Sequence, residues 1–114
     1  MLSKQYRLKK RKSFNYIYRR GRHVGCELLT LVFVSAKMKN IKVGFSVSKK
    51  VGNSVVRHRA IRLMRAAARP LVDRIAPNHS LVFVAKEGIE KKHLTEIQAA
   101  MVAVLQKAGL ICEK

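Results

Sequence analysis

Between Ile41 and Ser48 the chain alternates strictly. Ile41, Val43, Phe45 and Val47 fall on one side, and Lys42, Gly44, Ser46 and Ser48 on the other. A period of two predicts a half-buried strand whose second face carries small polar residues and leaves room for a partner. A plain wet sheet face has the same pattern. Upstream, Leu28–Val34 is rich in β-branched and aliphatic residues and predicts another strand. A polar loop of hairpin length, residues 37–40, joins the two. Leu81–Ala85 is an unbroken apolar run of strand length and predicts a buried strand.

Three segments have helical spacing instead. Phe14 to Arg20 is a short helix with Ser13 as its cap and Gly21 in the left-handed position that ends it. Phe14 and Tyr18 share a face, with Ile17 beside them. From His93 to Ala108, Leu94, Ile97, Met101, Val104, Leu105 and Ala108 form an apolar stripe. Thr95 with Gln98 has the spacing of a capping box, and Gly109 closes the far end. The third helix, capped by Asn53 or Ser54 and running to about Arg69, is the most informative. With Arg57 set at zero and about 100° per residue, His58, Arg59, Arg62, Arg65 and Arg69 fall between roughly 80° and 200°. Val56, Ala60, Leu63, Met64, Ala67 and Leu71 fall between roughly 240° and 340°. Pro70 removes a donor and predicts a kink or stop, and Pro77-Asn78 is a break.

Charge sharpens this picture. The 114 residues carry 25 Lys and Arg against six acids, a net +19. Nineteen of the basic residues lie before Asp73 with one acid, Glu27; the remainder holds six basic and five acidic residues. Solvated helix faces usually mix signs, because opposite charges one turn apart help the helix. An all-cationic face costs stability unless a polyanion neutralises it, and guanidinium grips phosphate oxygens in pairs. The first two-thirds of the chain therefore reads as a nucleic-acid-binding surface and the last third as support. Residues 1–12 form a basic arm, with Arg7, Lys9, Lys10, Arg11 and Lys12.

The length suits one domain, residues 1–114, with a hydrophobic fraction of 48%. No apolar run reaches the length of a membrane span, and no secretory signal opens the chain. Cys26 and Cys112 are isolated and read as reduced thiols of a cytoplasmic protein, and the four histidines lack metal spacing. P-loop, dinucleotide and metalloprotease motifs are absent, and one acid before Asp73 cannot supply a carboxylate metal centre. Side-chain catalysis, a bound metal and a small-molecule substrate are not expected. Three helices and about three strands predict one central sheet with helices mainly on one side and a partly open second face.

The run Gly44-Phe45-Ser46-Val47-Ser48-Lys49-Lys50-Val51-Gly52-Asn53, continuing through Arg57-His58-Arg59 to Arg62 and Arg65, closely resembles the signature of the bacterial ribonuclease P protein subunit. Leu8-Lys9-Lys10, Phe14, Tyr18 and Gly21 are similar to that family's opening segment. The resemblance covers nearly the whole chain. It implies an α/β sandwich of the α+β type, with a single sheet and a left-handed strand–helix–strand crossover through the arginine helix, an exception to the usual hand. It also implies a subunit of an endoribonuclease in which a catalytic RNA, using Mg2+, removes the 5′ leader of precursor tRNA. By position, Lys49, Lys50, Gly52, Asn53, Arg57, His58, Arg59, Arg62, Arg65 and Arg69 would meet the catalytic RNA. Phe14, Tyr18, Lys42, Ser46 and Ser48 would line a cleft for the single-stranded leader, where rings stack on any base, whereas the residues by themselves read Phe14 and Tyr18 as ordinary core packing.

Three positions depart from the family pattern. His58 stands where Asn is usual, Ile61 where Lys is usual, and the first strand is aliphatic around Val32 where an aromatic is frequent. The competing readings are a ribosomal or other structural RNA-binding protein, a stand-alone metal-dependent nuclease and a DNA-bending protein.

Overall fold

The computed structural model describes residues 11–35, 42–76 and 78–111. Helix α1 (Arg11–Arg20) leads into strands β1 (Arg22–Gly25), β2 (Leu29–Ser35) and β3 (Lys42–Ser46). Helix α2 (Ser54–Ala68) follows and tightens into a 3₁₀ turn, Arg69–Arg74, at Pro70. Strand β4 (His79–Ala85), a 3₁₀ turn at Ile89–Lys91 and helix α3 (Leu94–Ala108) complete the order.

The four strands form one sheet in the order β1-β2-β4-β3. β2 and β3 are therefore not the hairpin partners that their short connection suggests; β4 lies between them, antiparallel to β2 and parallel to β3. The apolar run of β4 fits that central place: Leu81 and Phe83 are buried in the main core, and Val82 against Ile17 on the other face. A parallel neighbour needs a long crossover, and α2 supplies it.

Strand alternation sorts the sheet into two layers. Leu29, Leu31, Val43, Leu81 and Phe83 point to the main core. There they meet Ala60, Met64 and Ala67 of α2 and Ile97, Met101, Val104 and Leu105 of α3. Phe45 and Phe83 stack across β3 and β4 with ring centroids 6.0 Å apart. The other face bears Val32 and Val82, which bury Ile17 of α1, with Tyr18, Val34 and Val84 packed around them. Thus α2 and α3 share one side, as expected, and α1 alone rests on the opposite side, over β2 and β4.

Local signals differ from expectation at three places. α1 begins at Arg11, so Ser13 lies inside it rather than capping it, and Arg11 and Lys12 belong to the helix rather than to the arm. Gly21 is not left-handed. A Cβ there would lie 2.4 Å from the carbonyl oxygen of Ile17 and 2.8 Å from that of Phe33, so a close backbone approach requires glycine. His93 is the N-cap residue of α3 and makes no side-chain cap bond, in place of a Thr95–Gln98 box. Gln98 Nε2 instead donates to the carbonyl of Ala67 at 3.2 Å and ties α3 to α2. Gly109 does close α3, in the left-handed conformation.

Candidate nucleic-acid interface

The loop before α2 is built to start that helix. The Val51 N–H donates to the carbonyl of Ser48 at 3.1 Å, turning the chain at the exposed Lys49 and Lys50. Gly52 passes so close to α2 that a Cβ would fall 2.7 Å from Val56. Asn53 Oδ1 then accepts the Val56 N–H at 3.1 Å, resolving the choice of cap between Asn53 and Ser54. Asn53 thus does structural work whatever else it meets.

Along α2 the helical spacing translates directly into burial. Ala60, Met64, Ala67 and Ala68 are buried, whereas His58, Arg59, Arg62 and Arg69 are exposed. Arg57 and Arg65 sit at the edge of the core side. They are half-buried, and their Nε atoms are buried with no hydrogen-bond partner. Among the described residues no carboxylate pairs with any arginine of this helix. The cationic ridge is therefore double, with one row in solvent and one row, Arg57 and Arg65, flanking Ile61 against the body. One feature on this face escaped the sequence reading. Val55 is 76% exposed and, with His58, Arg59, Arg62 and Leu63, lines a shallow groove of about 520 Å³. The helical wheel carries the signal, since Val55 falls near 160° in the middle of the arginine arc.

The second face of the sheet gathers the other set. Register places Lys42 beside Ser80, Gly44 beside Val82 and Ser46 beside Val84, so Lys42 and Ser46 share the layer that α1 covers. Both are half-buried, and Lys42 makes a polar contact. Tyr18 is half-buried at the edge of the Ile17 cluster. Ser48 lies beyond the end of β3 and is exposed, so the alternation of Ile41–Ser48 outruns the strand. Phe14 falls within α1, but its side chain lies outside the described residues, as do those of Arg11 and Lys12. Arg7, Lys9 and Lys10 lie outside the described residues altogether.

The sequence model of the family described as Ribonuclease P matches residues 2–109. The chain belongs to the ribonuclease P protein family. It is 37% identical over 105 residues to the ribonuclease P protein component of Alkaliphilus metalliredigens, covering 92% of this chain and 95% of that protein. It is 38% identical over 112 residues to that of Clostridium beijerinckii, covering 92% and 90%. The solved ribonuclease P protein of Staphylococcus aureus superposes with a TM-score of 0.83 at 27% identity, covering 94% of this chain and 98% of that one. The protein from Thermotoga maritima, at 19% identity, shares the fold with a TM-score of 0.79. The role is accordingly that of the ribonuclease P protein subunit, with ribonuclease P RNA as partner, and the ribosomal alternative is not favoured.

Proposed function

We propose that this ribonuclease P subunit docks on the catalytic RNA through α2 and the Lys49–Asn53 loop, and receives the single-stranded leader of precursor tRNA between α1 and the sheet. Cleavage is the work of the RNA, with Mg2+ held by RNA rather than by protein side chains. The protein acts in the cytoplasm; no described helix is long and apolar enough to cross a membrane.

One observation supports this reading above others: among the described residues, the guanidinium groups of α2 have no acidic partner. Charged donors left without an acceptor are stabilised when a phosphate arrives, so the free protein is predisposed to an anionic polymer. Leader contacts add affinity that mature tRNA lacks, so the complex favours substrate over product. Tyr18, Lys42 and Ser46 supply an aromatic ring, a cation and a small hydroxyl for a strand read without regard to sequence.

The test is reconstitution. Added to ribonuclease P RNA at low Mg2+, the protein should accelerate removal of the 5′ leader from precursor tRNA. If about five arginines each neutralise a phosphate, log affinity for that RNA falls against log salt with a slope of roughly −4. No stimulation, or a slope near zero, refutes the proposal. Cleavage by the protein without RNA would establish the stand-alone nuclease instead.

A further inference from the structure

α1 has a second side that neither the ridge nor the cleft uses. Ile17 and Tyr18 turn toward the sheet, so the opposite side of the helix faces away from it. Tyr16 is 54% exposed there and, with Asn15, Arg19 and Arg20, lines a groove of about 370 Å³. Arg19 and Arg20 are exposed and, among the described residues, have no carboxylate partner. Arg20 also lines a second groove of about 560 Å³, with Arg22, Phe33 and His79, at the ends of the strands. Two grooves that share one arginine suit an extended anionic chain better than a compact ligand. A ring standing in water between guanidinium groups offers a stacking surface for an unpaired base, with cations placed for the phosphates beside it.

From this we infer that the outer side of α1 is a second binding surface for single-stranded RNA, centred on Tyr16, Arg19 and Arg20. It lies across the sheet from α2, so the subunit holds two RNA segments on opposite sides of its body. The inference rests on the RNA-binding reading above and adds a site to it.

The chain contains no tryptophan, which makes the test specific. In the full chain carrying Tyr16→Trp, an eight-nucleotide uridine oligomer should quench the single indole on binding. Tyr16→Ala and the double variant Arg19→Ala/Arg20→Ala should each weaken oligomer binding about tenfold, and Tyr16→Phe should retain it. The double variant should also flatten the salt slope for the oligomer by about 1.4. All three leave affinity for ribonuclease P RNA at the wild-type level, whereas Arg62→Ala lowers it. An unquenched indole, or an unchanged affinity in Tyr16→Ala, overturns this site alone; failure of the wild type to bind the oligomer while it binds ribonuclease P RNA overturns this site and the leader cleft together. Failure to bind either RNA overturns the RNA-binding reading as well.

Discussion

A methyl group at residue 21 has no room. The Cβ would meet two carbonyl oxygens, those of Ile17 and Phe33, and neither belongs to a side chain that can swing aside. Gly21→Ala should therefore destabilise the protein by about 2 kcal/mol, read as a lower urea midpoint at unchanged m-value. The strain falls where α1 meets β2, so the same variant should also weaken leader-dependent binding. Asn53 illustrates a different economy of residues. Its Oδ1 caps α2, and Asn53→Ala should cost about 1 kcal/mol of stability. Asn53→Asp should keep the cap and the fold, yet bind RNA less well, because a negative charge then stands beside Lys49 and Lys50. Comparing the two variants by thermal melting and RNA titration separates the structural part from the electrostatic one.

At the scale of the element, α2 joins two incompatible demands in one helix. Its buried side is narrow and made of small residues, with Met64 as the largest group. Met64→Ala should lose about 3 kcal/mol, since the cavity would open among Leu, Ile and Phe side chains already at close packing. Its other side repeats positive charge at every turn, which opposes helix formation in the free protein. Arg62→Ala is thus expected to leave the melting temperature unchanged or slightly raised, while weakening RNA binding about tenfold and reducing the salt slope by about 1. A matching loss of stability and of affinity would mean that Arg62 serves the fold instead. The half-buried Arg57 and Arg65 should behave differently from Arg62. Their stems pack on the body, so truncation to alanine should lower both stability and affinity.

The whole molecule carries +19 on 114 residues, and its acids are concentrated away from the basic two-thirds of the chain. Self-repulsion of that size destabilises a compact state and is relieved by screening. The melting temperature should rise between 0.05 and about 0.5 M salt, and should rise further with a polyanion present at low salt. A fall with added salt would show that internal ion pairs, not repulsion, dominate. The fold distributes the load by putting α2 on one side of the sheet and α1 on the other, so the two cationic helices do not share a face.

Elements with a clear period were legible in the sequence: α2 with its buried and exposed arcs, α3 with its apolar stripe, and β4 as a buried strand. These follow from local chemistry, because a period of 3.6 or two commits a segment to one geometry and one buried side. Four things were not legible. The half-burial of Arg65 was not, since the wheel put it with the exposed arginines. The placing of β4 between β2 and β3 depends on which strand gains most by being central, a comparison across the chain. The reason for Gly21 is an approach between residues twelve positions apart. The outward turn of Tyr16 depends on which side of α1 the sheet claims. Sequence alone determined that this protein presents arginine to an anion; only tertiary structure decided that the cationic surfaces lie on two sides of one sheet, because burial of Ile17 against Val32 and Val82 fixes how α1 is turned.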